Sequence, residues 1–306
     1  MDMELLSVLI RQVFIMFVLM AVGYYAYKKE LITDQGSKDI GKILLNVAVP
    51  MIVISNFCIE KSPEKTAELL QSAFLSILGM LLSVLVSVLI YHKSDRIGEF
   101  SVAFSNAGFI GIPLVQATFG SSAVFYITAM IVLVPLLQWT YGVYTITDDK
   151  GFMDPKKVLK NPIVIAVILG LIIYFTGFRM PKIASDIISM ISSMNTPLAM
   201  IVSGVYLAQS DLLAMIRKKN AYLVSLVRLI LIPLLMVIVF RFLPFENRTM
   251  KLAILLAGAC PVGSNVAIFA RQYDKDHVSA VEYVCLSTLL CIITLPLMIF
   301  LADIIL

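Results

Sequence analysis

The sequence predicts an all-α polytopic membrane protein: ten transmembrane helices as two inverted five-helix repeats, with helices 4 and 9 broken in mid-span. Three observations carry this reading. Hydrophobic residues make up 60% of the 306-residue chain and charged residues 14%, at a mean hydropathy of +0.95, more apolar surface than a soluble core can hide. The apolar residues fall into ten runs near the ~20 residues that cross a bilayer, five on each side of a polar stretch, "TDDKGFMDPKKVLKN", at 147–161. The fourth and ninth runs are each interrupted by glycine, proline and asparagine.

The first span, 5–27, follows Asp2 and Glu4 instead of a basic segment and is too long for the apolar core of a signal peptide, so it is read as a span. The second, 40–59, holds Asn46 and Pro50; the third, 67–91, has serines but no acid beyond Glu68 at its edge. The fourth, 97–119, contains "SNAGFIGIPL" at 105–114, and the fifth, 123–146, is opened by "SAVFY" at 122–126 and contains Pro135. These close a first repeat, 1–147, joined by a short linker, 148–161, to a second, 162–306. There the spans are 162–178, 183–208 with Asn195 and Pro197, 221–243 with Arg228, 250–270 with "AGACPVGSN" at 257–265, and 278–306 with "SAVEY" at 279–283 and Pro296. The recurring SAV-x-Y and the two interruptions occupy matching places. Five spans per half, an odd number, insert the second half upside down relative to the first, so the breaks should face each other from opposite directions.

Orientation follows from the 24 Lys and Arg. Fifteen fall in the odd-numbered loops (Lys28, Lys29, Lys38 and Lys42 in the first; Arg271 and Lys275 in the last) and seven in the even ones, which places the odd loops in the cytoplasm and both termini outside it, in the inner (plasma) membrane of the cell. The net charge of +4 follows from that topology and gives no reason to expect a nucleic-acid partner. Cys58, Cys260, Cys285 and Cys291 have no paired ligand spacing and read as packing residues. With no Walker loop, GxSxG elbow or HExxH helix, neither metal nor cofactor is expected.

Breaking a helix in lipid is costly, so the two breaks call for a purpose. Gly108 and Gly111 can release the first half of span 4 while Pro113, needing no donor in a first turn, opens the second; Pro261 and Gly263 repeat this in span 9. Freed N–H groups and two positive helix ends then converge on one point suited to an anion. Asn106 and Asn265 add amides without the cost of a buried charge. Asn46 and Asn195 are candidates for the wall of this site. Arg228 faces protein, water or ligand, either capping carbonyls or ion-paired, or touching a substrate anion or coupling proton. Arg11 can snorkel, and Glu99 and Glu282 read as surface or gate residues.

The stretches "SNAGFIGIPLVQATFG" with "SSAVFY", and "CPVGSNVAIFARQYD" with the long apolar end "STLLCIITLPLMIFLADIIL", resemble the auxin efflux carrier family over essentially the whole chain. The resemblance implies an inverted-repeat transporter with a scaffold domain and a transport domain, whose fourth and ninth helices cross at their prolines. It also implies that Asn106, Pro113 and Pro261 occupy substrate-site positions and that the substrate is a small organic acid of the malate or malonate kind. The chain lacks the long central loop of the plant exporters and a charged pair in span 3, which argues against indole acetate itself.

The expected function is secondary transport of a small organic anion (malate, malonate or an auxin-like weak acid) by alternating access, with the lipid bilayer as its other partner and a homodimer left open. A sodium-coupled symporter of the bile-acid type is an alternative that would need acids near the breaks. An intramembrane enzyme would need a base beside Cys260, the one nucleophile near a break.

Overall fold

A computed structural model describes residues 3–92, 94–149, 160–210 and 212–306; most of the expected linker at 148–161 lies outside them. The described residues are helical, apart from connections and one isolated antiparallel bridge. In chain order the helices are α1 Met3–Lys28, α2 Asp34–Phe57, α3 Pro63–Tyr91, α4 Arg96–Ala103, α5 Ala107–Phe119, α6 Ser121–Thr147 and α7 Pro162–Thr176. They continue as α8 Lys182–Gln209, α9 Leu212–Arg217, α10 Lys219–Arg241, α11 Arg248–Gly258, α12 Asn265–Gln272 and α13 His277–Ile305.

Among the described residues seven helices are long and apolar enough to cross a membrane: α1, α2, α3, α6, α8, α10 and α13. The other three expected spans depart from a plain helix. Residues 162–178 give only the 15 residues of α7, about 22 Å against a hydrocarbon core of about 30 Å. The fourth and ninth are interrupted as the sequence reads them, α4 giving way to α5 and α11 to α12.

Proline leaves a repeated mark on these helices. Leu44–Ala48, Ala107–Gly111 and Val227–Leu231 are π turns, and two residues after each comes a proline: Pro50, Pro113 and Pro233. A proline has no N–H and its ring clashes with the carbonyl four residues back. Here the residue just before each proline reaches back five residues instead, Val49 to Leu44, Ile112 to Ala107 and Ile232 to Val227, a widening that makes room for the ring without ending the helix.

The helices pack in two neighbourhoods. One joins α1 to α8 and α2 to α7 and α8; the other joins α3 to α4 and α6, and α13 to α10 and α12. Within the first, α1 and α8 run parallel, Tyr27 and Gln209 near their C-terminal ends both bonding Asp34, with their backbones in contact. A Cβ added at Gly204 would lie 1.9 Å from the Met20 carbonyl oxygen, and one at Gly23 would lie 2.2 Å from that of Ile201. Only glycine allows this approach, the usual means by which membrane helices gain close packing without a hydrophobic drive.

Candidate functional site

The two breaks touch. Ser105 and Val262 form the antiparallel bridge, in which Asn106 N–H donates to the Pro261 carbonyl at 2.8 Å and Gly263 N–H to the Phe104 carbonyl at 2.9 Å. Extended backbone in mid-span needs partners other than water, and each break supplies them for the other. Val262 N–H goes to Ser287 Oγ on α13 at 3.1 Å. This corrects the expectation that the breaks leave their donors free: three of them are spent on holding the crossing.

The break also lies earlier than the prolines suggest. α4 ends at Ala103 and α5 opens at Ala107, with Asn106 as its N-cap: Asn106 Oδ1 accepts from Phe109 N–H at 3.3 Å. Pro113 sits beyond the π turn, buried inside α5, and does not open it. Because a first turn has no intrahelical acceptors for its N–H groups, those of Ala107 and Gly108 remain as donors at the start of α5.

Arg228, 1% exposed, settles at the opposite poles. Its Nη1 donates to the Val102 carbonyl at 2.9 Å and lies 3.5 Å from Ser83 Oγ, its Nε donates to the Cys260 carbonyl at 3.3 Å, and its Nη2 to that of Gly258. Val102 is in the last turn of α4, and Gly258 and Cys260 close α11. Two negative helix ends thus share one buried guanidinium, which is the carbonyl-capping role among those open to it from sequence.

The two positive ends face the other way. Residues 105–109 and 263–265, at the starts of α5 and α12, line a cavity of 1010 Å³. Asn106 Nδ2 donates to Ser264 Oγ at 3.1 Å, and Asn265 Nδ2 to Gln138 Oε1 at 2.9 Å. Ser105 Oγ, also in the wall, is buried without a hydrogen-bond partner. Among the described residues the charged side chains of the lining are Lys38, Lys42, Arg271 and one carboxylate, Asp34, which accepts from Tyr27 OH and Gln209 Nε2, both at 2.7 Å.

Of the residues expected to hold substrate, Asn106, Gly108, Gly263, Asn265 and Asn46 line this cavity; Asn46 stands near its mouth, bonded to the Lys42 carbonyl at 2.8 Å. Gly111, Pro113, Pro261, Asn195 and Arg228 do not. Gly111 packs against Ala257, where an added Cβ would lie 3.4 Å from its Cα. Pro261 offers its carbonyl to the bridge, and Asn195 is fully buried with neither amide atom partnered. Glu99 and Glu282, expected as surface or gate residues, are 7% exposed: Glu99 accepts from Tyr141 OH at 2.6 Å and Glu282 pairs with Lys218 at 2.5 Å. Sequence reasoning passed over Ser105, Ser264, Gln138 and Trp139. Gln138, a primary amide in an apolar run three residues after Pro135, was the available signal.

Comparison with known proteins agrees with these features. Residues 8–299 match a family described as "Membrane transport protein". An "Uncharacterized transporter" of Methanothermobacter thermautotrophicus is 24% identical over 293 residues, 92% of this chain and 94% of that one. The "Uncharacterized transporter YfdV" of Escherichia coli K12 is 21% identical over 313 residues, 94% and 96% of the two chains. A polytopic helical chain, two broken helices bonded at their breaks and a match across nearly its whole length lead to one assignment: the protein belongs to the membrane transport protein family of auxin efflux carriers.

Proposed function

We propose that the protein is a secondary transporter for a small organic anion, a carboxylate such as malate or malonate, bound where the broken helices cross and moved by alternating access in a fold of two inverted five-helix repeats. The observation that carries this is the polarity of the crossing. Both negative helix ends are taken up by Arg228, while both positive ends, with Asn106, Ser264 and Asn265, open on one cavity. Helix N-termini favour anions, the orphan Ser105 hydroxyl is a further donor, and three cations against one carboxylate in the lining add attraction from outside.

The cavity reaches Lys38, Lys42, Arg271 and His277, which belong to the odd loops. By the excess of Lys and Arg on that side it opens to the cytoplasm, with both termini on the other face. An anion leaving a negative interior gains about 2.3 kcal/mol per charge per 100 mV, so export needs no coupling ion.

Trp139, the one tryptophan of the chain, lies in the cavity wall and reports on occupancy. Titration of the purified protein with mono- and dicarboxylates, at two pH values and with or without sodium, should give a saturable change in its fluorescence that the matching neutral amides do not. Equal responses to acids and amides would overturn the anion assignment. A response confined to sodium buffers would favour the bile-acid type of symport instead.

A further inference from the structure

At each end of the molecule a tyrosine from the repeated SAV-x-Y stands at the centre of a polar cluster. Asn247 is the N-cap of α11, accepting from Met250 N–H at 2.9 Å. Its Nδ2 donates to Glu68 Oε1 on α3 at 2.6 Å and to Tyr126 OH on α6 at 3.1 Å, and Tyr126 OH donates to Glu68 Oε2 at 3.0 Å. At the other end Asp95 is the N-cap of α4, accepting from Gly98 N–H at 2.8 Å. Its Oδ2 accepts from Tyr283 OH on α13 at 2.7 Å and from Asn220 Nδ2 on α10 at 2.6 Å, and Asn220 lies 2.9 Å from the same phenol. A lysine sits over each ring, Lys65 at 5.6 Å from the centroid of Tyr126 and Lys218 at 5.7 Å from that of Tyr283.

The correspondence is position by position. Each cluster has the N-cap of a broken helix, the tyrosine of SAV-x-Y, a polar residue near the start of a long helix and a lysine two or three residues before it. The hydrogen-bonded trio in each consists of one carboxylate, one primary amide and one phenol; Lys65 pairs with the carboxylate of its own trio, Glu68, at 2.7 Å, whereas Lys218 pairs with a further one, Glu282, at 2.5 Å. What differs is where the carboxylate stands: on the long helix at Glu68 with the amide at the cap, or at the cap at Asp95 with the amide on the long helix at Asn220. Each cluster also crosses between the halves, tying α11 of the second to α3 and α6 of the first, and α4 of the first to α10 and α13 of the second.

We propose that these are two equivalent clamps that seat the entry of each broken helix on the opposite repeat, so that Tyr126 and Tyr283 are positioning residues for the crossing and its substrate site. All eight residues lie on or beside α3–α6 and α10–α13, none on α1, α2, α7 or α8, so the clamps bind one packing neighbourhood into a unit. One anion in each trio fits the donor count: a single carboxylate accepts from the phenol and the amide at once, and two would repel at hydrogen-bonding distance. The equivalence of the clamps, though not their bonding, rests on the inverted-repeat reading given above.

Moving the charge tests this. Asn247→Asp keeps a good N-cap but sets a second carboxylate against Glu68; adding Glu68→Gln gives the first trio the arrangement of the second. We expect the full-length single variant in detergent to lose several degrees of melting temperature and to bind carboxylate roughly tenfold more weakly, about 1.4 kcal/mol, with the double variant recovering most of both. Asp95→Asn with Asn220→Asp should behave in the same way at the other end. Tyr126→Phe and Tyr283→Phe, which keep the ring, should weaken binding to similar extents. If a single variant yields no folded protein, folded protein from its double variant supports the clamp, and none from either counts against it. Single variants that melt like the wild type, or doubles no better than singles, overturn it. Melting is read without ligand, so a failure of carboxylate binding in the wild type would remove the transport reading and leave the clamps standing.

Discussion

Replacing Arg228 by methionine keeps a long apolar stem and removes the fork at the crossing. The carbonyls of Val102, Gly258 and Cys260 then lose their shared donor. A buried acceptor left unpaired costs about 1–3 kcal/mol, so three come to roughly 3–9 kcal/mol. Against this, the variant is relieved of a buried cation, about 2.5–3.5 kcal/mol at the centre of a membrane helix. The balance centres on a loss of about 3 kcal/mol, to which two facing negative helix ends without a counter-charge add a few tenths each. That is a sizeable part of a total stability of about 5–15 kcal/mol. Arg228→Lys keeps the charge but puts one compact ammonium where a planar fork spans three carbonyls, and should fall between the two. Thermal unfolding in one detergent, followed by Trp139 fluorescence, should show a drop of several degrees for Arg228→Met and a smaller one for Arg228→Lys. An unchanged melting temperature and unchanged carboxylate affinity in Arg228→Met would refute the idea that the guanidinium holds the crossing together.

Three further outcomes can be checked. Asn106→Ala and Asn265→Ala, which remove the bonds to Ser264 and Gln138, should weaken carboxylate binding by roughly 1–3 kcal/mol in calorimetric titration while the protein stays folded; wild-type affinity in both would mean that substrate sits elsewhere. Pro113→Ala restores an N–H inside α5 and removes the reason for its π turn, so folded yield should hold while flux in reconstituted vesicles falls as the cap at Asn106 shifts; undiminished flux would make the turn a packing detail. Lys156→Cys, in the linker outside the described residues, should resist an impermeant thiol reagent added to intact cells and react once the cytoplasmic face is opened, whereas labelling from outside would reverse the topology.

Periodicity and composition made the long helices legible, because a bilayer demands uninterrupted apolar runs and α1, α3 and α13 supply them. The breaks were legible for the same reason inverted: "SNAGFIGIPL" and "AGACPVGSN" are costly in lipid unless something satisfies the backbone. Their register was not. Pro113 draws the eye as a helix start, yet Asn106 is the cap, because a π turn lets the helix run through the proline. Nor does one sequence reveal that each break would bond to the other, a pairing between residues 158 apart in the case of Asn106 and Ser264. Arg228 was visible as an anomaly, but the choice among its partners depended on which helix ends the fold brought to it. The recurrence of SAV-x-Y was noticed as a trace of duplication; that its tyrosines meet Asp95 and Asn247, loop residues with no pattern of their own, needed the third dimension.

The contact between α1 and α8 carries a mechanical consequence. Met20 and Ile201 carbonyls rest against the bare Cα atoms of Gly204 and Gly23, so the two helices meet at a pair of notches cut into facing surfaces. A slide along the shared axis by one residue, about 1.5 Å, would drive those oxygens toward the side chains on either side of each notch. Helices keyed in this way resist shear more than they resist separation. Whatever rearrangement carries a solute across, α1 and α8 are keyed to stay in register with each other during it.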